Sequence, residues 1–272
     1  MSSEIKVDTI SENTSANGVA IDSLGIKDGK ITNLMNATLS AADLGTGLHI
    51  KTGDSGVSSL SVSHDELVVE SDGNAGISII GGTSNTIGIA FGDSGDSDIG
   101  RINYVHSDNT MRFINNVTEH MTINADGEVT TPLQPCFRIG SGTQDNIAVN
   151  TNHTAIFDVE VFDIGANFGG NGFTAPVTGK YYLNAMFRFN SVDTAASYIQ
   201  IVIVGSNRNT TIFTLSDVSD HMSGDSEISF SGATILDMDA NDTASVRIRI
   251  QGGTAQTDVN NDGSYFTGYL IG

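Results

Sequence analysis

The sequence predicts an all-β protein, with a C-terminal β sandwich or jelly roll carried on a β-rich stalk. Three observations support this. Gly is abundant at 31 residues, and with Ser, Thr, Asn and Asp it interleaves with Val, Ile, Thr and Phe, a mixture that favours short strands and turns over helices. Apolar residues recur in short alternating runs, the period of a strand with one covered face. Most aromatic residues lie beyond residue 150, so the core-building material is uneven. The second half can bury a conventional core, whereas the first half needs partner chains to do so.

Taken in order, residues 1–30 alternate weakly (Ile5, Val7) and break at Asn17-Gly18 and Asp28-Gly29, both turn dipeptides. This segment is expected to dock on something else. Residues 31–131 are expected to form a β-rich shaft. A helical turn or two is expected at residues 33–44, followed by brief β segments at residues 66–70 (ELVVE), 76–80 (GISII), 86–91 (TIGIAF), 102–105, 111–114 and 121–123 before the turn Asp126-Gly127. Strands this short are not stable alone, and sharing a narrow core between identical chains would make an elongated trimeric stalk. Residues 132–151, opened by Pro132 and Pro135, read as a linker. Residues 152–272 read as the head. There Phe157, Val159 and Val161 alternate with Asp158 and Glu160, which predicts one apolar and one acidic face. Residues 181–189 alternate strictly, and residues 199–204 (IQIVIV) are apolar on both faces. With residues 212–215, 228–236, 246–250 and 265–271 this makes about eight strands at regular spacing, the signature of a sandwich or jelly roll.

The formal charge of −20, with only 12 Lys and Arg, argues against nucleic acid and anionic membranes as partners. No run approaches the roughly 18 apolar residues of a membrane span. Cys136 is the only cysteine, and residues 1–6 are polar with no apolar signal region behind them, so the chain is expected to fold in a cytosol without an internal disulfide.

Residues 162–183 read FDIGANFGGNGFTAPVTGKYYL, and Phe162, Asn167, Phe173, Thr174, Pro176, Gly179 and Tyr181 fall in the order of a Phe-Thr-x-Pro-x-x-Gly-x-Tyr core-strand signature. The closing Ser264-Tyr265-Phe266-Thr267-Gly268-Tyr269-Leu270 and the turn Ala240-Asn241-Asp242 complete the pattern. Together these resemble complement C1q-like (tumour-necrosis-factor-like) jelly-roll domains. The resemblance implies a trimeric head, on a stalk that has no collagen Gly-x-y period. Residues 91–113 and 119–127 resemble shaft segments of bacteriophage tail fibres and tailspikes, and residues 7–23 resemble the opening of marine-phage fibre proteins. The resemblances imply a homotrimeric phage virion protein whose N-terminal segment attaches to other virion proteins and whose head contacts a host glycan or outer-membrane protein. The alternative is a head fibre, collar or connector-bound decoration that binds no receptor.

Candidate residues follow. Tyr181, Tyr182, Ile199, Ile201, Ile203, Phe266 and Tyr269 are expected in the core or at subunit contacts. The loops at residues 206–209 and 257–264 are expected at the exposed tip, with Asn207, Arg208, Asn209 and Asn260 as receptor-contacting residues. Asp258, Asn260 and Asp262 match the first half of an EF-hand loop, but Tyr269 stands where the bidentate Glu is required. No cofactor is therefore expected, with Ca²⁺ the one candidate. Gly92-Asp93-Ser94-Gly95 and Gly53-Asp54-Ser55-Gly56 carry the letters around a serine nucleophile without a His context, and read as turns. The six His show no zinc spacing. The stalk is too short for the long groove of a glycan depolymerase, so no enzyme activity is expected.

Overall fold

A computed structural model of the chain describes residues 48–223 and 227–272. The expected attachment segment, residues 1–30, and the helical turn expected at residues 33–44 lie outside the described residues. The chain divides into two compact units, one ending at Ile79 and the other spanning Ile80–Gly272.

In the first unit, β1 (Leu48–Lys51) pairs in parallel with β2 (Leu67–Glu70), matching Leu48 to Leu67 and Lys51 to Glu70. Residues 76–80, expected as a strand, are not one: they join no ladder, and Ile80 is 89% exposed. A lone alternating run has no partner for its backbone groups, so its pattern alone does not make a strand.

The second unit begins with a five-stranded antiparallel meander. Its strands are β3 (Thr86–Phe91), β4 (Gly100–Val105), β5 (Thr110–Asn115), β6 (Thr118–Ile123) and β7 (Val129–Thr130). The register sorts its two faces. One row across the sheet is Ile87, Tyr104, Met111, Ile123 and Val129, and the next is Ile89, Ile102, Phe113 and Met121. The opposite face carries Asn103, Arg112 and Thr122 in one row and Arg101, Ile114 and Glu119 in another. Arg112 pairs with Asp108 at 2.6 Å and with Glu119 at 3.6 Å on that side, and Arg101 pairs with Asp98.

The head follows as two packed sheets. The first has the order β11 (Val159–Ile164), β8 (Cys136–Gly140), β19 (Thr257–Leu270), β14 (Gly179–Asn190), β17 (Ile228–Met238), with β9 (Gln144–Ile147) pairing β19. The second has the order β12 (Phe168–Gly169), β13 (Gly172–Thr174), β18 (Thr243–Gly252), β15 (Ala196–Gly205), β16 (Asn209–Ser216), with β10 (Asn152–Thr154) pairing β18. The chain changes sheets at β9–β10, β10–β11, β11–β12, β13–β14, β14–β15, β16–β17, β17–β18 and β18–β19, which gives the jelly-roll weave. The alternation read along β14 is realised in full: Tyr181, Leu183, Ala185, Phe187 and Phe189 are all buried, and the residues between them are not. They meet Ile199, Ile201, Ile203, Val246, Ile248 and Ile250 of the facing sheet. Ile199, Ile201 and Ile203 face the core, and Val202 is also buried, beside the register shift against β16 at Ile201–Val202, whereas Gln200 and Val204 on the outward face are half-buried. Gly232 lets β17 approach β16, since a Cβ there would stand 2.4 Å from the Ile212 carbonyl oxygen.

Two expectations are corrected here. Residues 132–151 are not merely a linker, because they contain β8 and β9, and Phe137, Ile139 and Ile147 lie in the head core. The few letters between Pro135 and Gly140 are too short a run to announce a core strand. The predicted apolar face at residues 157–161 also fails. Phe157 is buried, but Val159 and Val161 are exposed, because β11 is an edge strand and a bulge between Glu160 and Phe162 breaks its alternation.

Replacement of Phe137 by Ala tests the membership of β8. A fully buried Phe lost from a core costs about 3–5 kcal/mol, whereas a linker position is nearly silent. A large drop in the chemical-denaturation midpoint of the head is expected.

Candidate functional site

The head has two ends. β8 starts at the end where the stalk joins, and its first residue, Cys136, faces Tyr269. That stalk-side end also carries the start of β14 at Gly179, the end of β15 at Gly205 and the turn before β18. The far end carries Asn190, Ala196, Gly252 and Thr257, with the loops at residues 191–195, 217–223 and 253–256.

This geometry separates the residues expected to contact a receptor. Asn207, Arg208 and Asn209 lie on the β15–β16 hairpin at the stalk-side end. Asn260 faces Arg188 toward the far end. The four do not form one surface, because β15 carries the chain from one end of the head to the other between them. The hairpin borders a cleft of about 510 Å³, lined by Gly205, Ser206, Asn207, Arg208, Thr210, Asp242 and the end of β17 from Thr234 to Met238. Asn207 Nδ2 donates to Asp242 at 2.6 Å.

Residues 257–264, expected as a turn between the last two strands, lie within β19 as a bulge. Met186 faces Tyr265 and Arg188 faces Asn260, so residues 261–264 are looped out, with Gly263 at φ +93°. Asp262 N donates to Asn260 Oδ1 at 2.9 Å. The three candidate Ca²⁺ ligands point to other partners. Asp258 accepts from Asn146 N at 2.7 Å, and Asp262 accepts from the Arg188 guanidinium at 3.1 Å. Arg188 also pairs with Glu227, and hydrogen bonding to Glu227 is the main cause that raises its pKa above the ordinary value. Among the described residues, no group of three or more His, Cys, Asp or Glu stands where it could hold a metal ion.

The far-end loops are tied by Asp193, which accepts from Ala195 N at 2.9 Å, Thr254 N at 2.7 Å and Ala255 N at 2.8 Å. Those backbone donors, Ala255 first, hold its carboxyl below the ordinary 3.8.

The expected packing residues fall into two classes. Tyr181, Ile199, Ile201, Ile203 and Phe266 are fully buried inside a single chain. Tyr182 and Tyr269 point the other way, with ring centroids 5.2 Å apart on the outward face of the first head sheet. The register continues that face as a row of Ile235, Tyr182, Tyr269, Cys136 and Ile164, and Phe162, Tyr265 and Val159 lie in the rows beside it. Ile235 is 58% exposed and Tyr269 49%. Arg138 lies over the Tyr265 ring at 4.0 Å.

Both serine motifs are turns: Asp93 Oδ1 accepts from Gly95 N and Asp96 N, and Asp54 Oδ1 accepts from Gly56 N. The structure adds a contact the sequence does not show. Ser55 Oγ donates to Glu70 Oε1 at 2.9 Å, and His49 Nε2 lies 2.8 Å from Glu70 Oε2. The carboxylate stands between hydroxyl and imidazole, so the imidazole is not placed to take the serine proton as a general base must. Hydrogen bonding from the Ser55 backbone N–H is the main cause that lowers the Glu70 pKa.

Residues 137–271 match the family model of the C1q domain, and the head is a C1q/TNF-like jelly roll. Domains of this family typically trimerise and are generally binding or trimerising rather than enzymatic. Among solved structures, the globular domain of zebrafish complement 1qA protein is similar at 18% identity, covering 51% of this chain and 98% of its own, with a TM-score of 0.37. Murine APRIL is similar at 15% identity, covering 51% and 99%, with a TM-score of 0.37. The Eiger TNF of S. frugiperda is similar at 13% identity, covering 51% and 94%, with a TM-score of 0.38. No curated protein matches the chain.

Two measurements follow from this geometry. EGTA is expected to leave the thermal midpoint unchanged, since Asp258 and Asp262 are engaged elsewhere, and a fall in midpoint that Ca²⁺ restores would overturn this. A carboxyl with a depressed folded pKa stabilises the fold above its unfolded value and loses that contribution as pH falls through the folded value. The stability gap between the native chain and Asp193→Ala is therefore expected to hold at neutral pH and to close as pH drops below 3.8.

Proposed function

We propose that this chain forms a homotrimeric fibre of a bacteriophage particle, with the jelly-roll head as its trimerising and host-contacting module. One observation carries the trimeric part. The outward face of the first head sheet carries the apolar row Ile235, Tyr182, Tyr269, Cys136 and Ile164, beside a row of Phe162, Arg138, Thr267 and Asn184, and in a single chain it is half-buried to exposed. Contiguous apolar faces of this kind mark association surfaces, and the family's tendency to trimerise supplies the number of copies. The fibre assignment rests on the shaft-like segments at residues 91–113 and 119–127 and on the opening at residues 7–23. Residues 1–30 serve as attachment to other virion proteins. The far-end loops meet a glycan or outer-membrane protein of the host.

The second reading is a head fibre, collar or connector-bound decoration without a receptor. It is favoured by the position of the cleft around Asn207 and Arg208, which opens at the stalk-side end rather than at the end presented outward.

Light scattering of the full chain is expected to give three times the 28.5 kDa of one chain, and a monomer at micromolar concentration would rule out the assembly. Tyr182→Asp buries a charge in the proposed contact, so it is expected to lower the thermal midpoint and, by breaking the assembly, to remove the dependence of that midpoint on protein concentration. Binding of the purified trimer to intact host cells, lost when the far-end loops are altered, separates the adhesin from the decoration.

A further inference from the structure

We infer that the apolar face of the β3–β7 sheet is a second self-association surface, independent of the head and closed in the assembled protein by the same face of other copies of this chain. The number of copies rests on the trimeric reading above, and the existence of the contact rests on the sheet itself.

The sheet is a single layer. Its register places Ile89, Ile102, Phe113 and Met121 in one continuous row, with Tyr104 and Ile123 in the row beside it. None of these side chains is buried in a single chain, and none belongs to the head core or to the residues packed against it. The charged side chains are sorted to the other face, where Arg101 pairs with Asp98 and Arg112 with Asp108 and Glu119, and where Val105 and Ile114 are the two large apolar residues among them. The sheet therefore has a water face and a dry face, and nothing in its own unit supplies the second layer that a stable sheet needs.

The occupant that fits is another copy. The two apolar rows carry no charge and so offer no handle to a charged partner, whereas an apolar row is complementary to itself. Only residues 131–135 separate β7 from β8, so the sheet is held within about 18 Å of the head, the reach of five extended residues. A head that brings three chains together thus holds three such sheets at high effective concentration. Three flat faces turned to one axis close a three-sided prism with the charged faces outward.

The test uses the full chain with Cys136→Ser, which removes the only thiol. Ile102→Cys and Asn103→Cys then place one thiol on the dry face or on the water face at adjacent positions. Met121→Cys and Thr122→Cys are a second such pair if the first disturbs folding. Thiol labelling by Ellman's reagent is expected to be roughly tenfold or more slower at 102 than at 103. A short bis-maleimide is expected to link chains through 102 and not through 103. Equal labelling at 102 and 103 in a chain that light scattering shows to be trimeric overturns this inference and leaves the trimeric head standing. Protection at 102 that disappears when residues 1–47 are removed, with the trimer intact, assigns the cover to that segment and also overturns it. A monomer overturns both readings.

Discussion

Phe137 stacks on Phe173 across the gap between the two head sheets at 4.8 Å, and meets Phe266 edge-on at 5.1 Å within its own sheet. Phe173 in turn lies 5.3 Å from Tyr181, whose hydroxyl donates to the Val177 carbonyl at 2.8 Å. This aromatic cluster draws on β8, β13, β14 and β19, segments far apart in sequence, and it fixes the spacing of the two layers. It also gives physical content to the two end motifs. Gly268 is required because a Cβ there would stand 2.8 Å from the Phe137 ring and 2.9 Å from the Tyr182 carbonyl oxygen. Ser264 accepts from Arg188 N where the bulge of β19 ends, and Phe266 enters the cluster two residues later. The motif at residues 264–270 is therefore a bulge closure, an aromatic anchor and a vacancy for a second aromatic, in that order.

The rest of the chain is governed by how much apolar surface each part can cover alone. The head covers its inner faces completely within one chain, and burial of each large side chain there contributes about 1.5–3 kcal/mol. The five-stranded sheet buries none of its apolar rows fully, leaving Ile89, Ile102 and Val129 exposed and the rest half-buried, and Phe91 at its edge is 56% exposed. A head whose core is complete inside one chain needs no neighbour to close it, whereas the sheet with an open apolar face has no second layer of its own. That difference follows from the uneven distribution of aromatics along the chain, most of which lie beyond residue 150.

Legibility follows strand length and neighbours. The alternation at residues 181–189 is long, strictly periodic and central, and the structure realises every position of it. The segment at residues 86–91 is also readable, because its neighbours at residues 102–105 and 111–114 exist to pair with it. The GISII segment has a similar composition without a partner in register, and it stays unpaired. β8 is hidden because its few residues after Pro135 carry almost no periodic signal, although Phe137 is only 1% exposed. The two expected tip loops fail for a different reason. Which end of a sandwich a loop occupies depends on the direction of every strand crossing before it, and one missed crossing reverses the answer. Without β8 and β9, the chain offers no way to place residues 206–209.

The corrected placement bears on how the head could meet a surface. The far end gathers Asp145, Asp193, Asp217, Asp220, Glu227, Asp258 and Asp262, against which Arg188 already pairs with Glu227 and Asp262. Asp193 is held by three backbone donors, so its charge stabilises the loops rather than reaching outward. The remaining carboxylates set the local field. An end of that sign repels polyanions and favours groups that offer hydrogen-bond donors or positive charge, and its repulsion of like charge is screened beyond about 8–10 Å at physiological salt. The stalk-side cleft is mixed in charge, with Asp237 and Asp242 in its wall beside Arg208. Arg208 and Asn207 border it beside Ile235 and Leu236, close to where the chain joins its stalk. Carboxylates therefore occur at both ends, and what separates the ends is the β7–β8 connection, which enters at one and leaves the loops of the other clear of it.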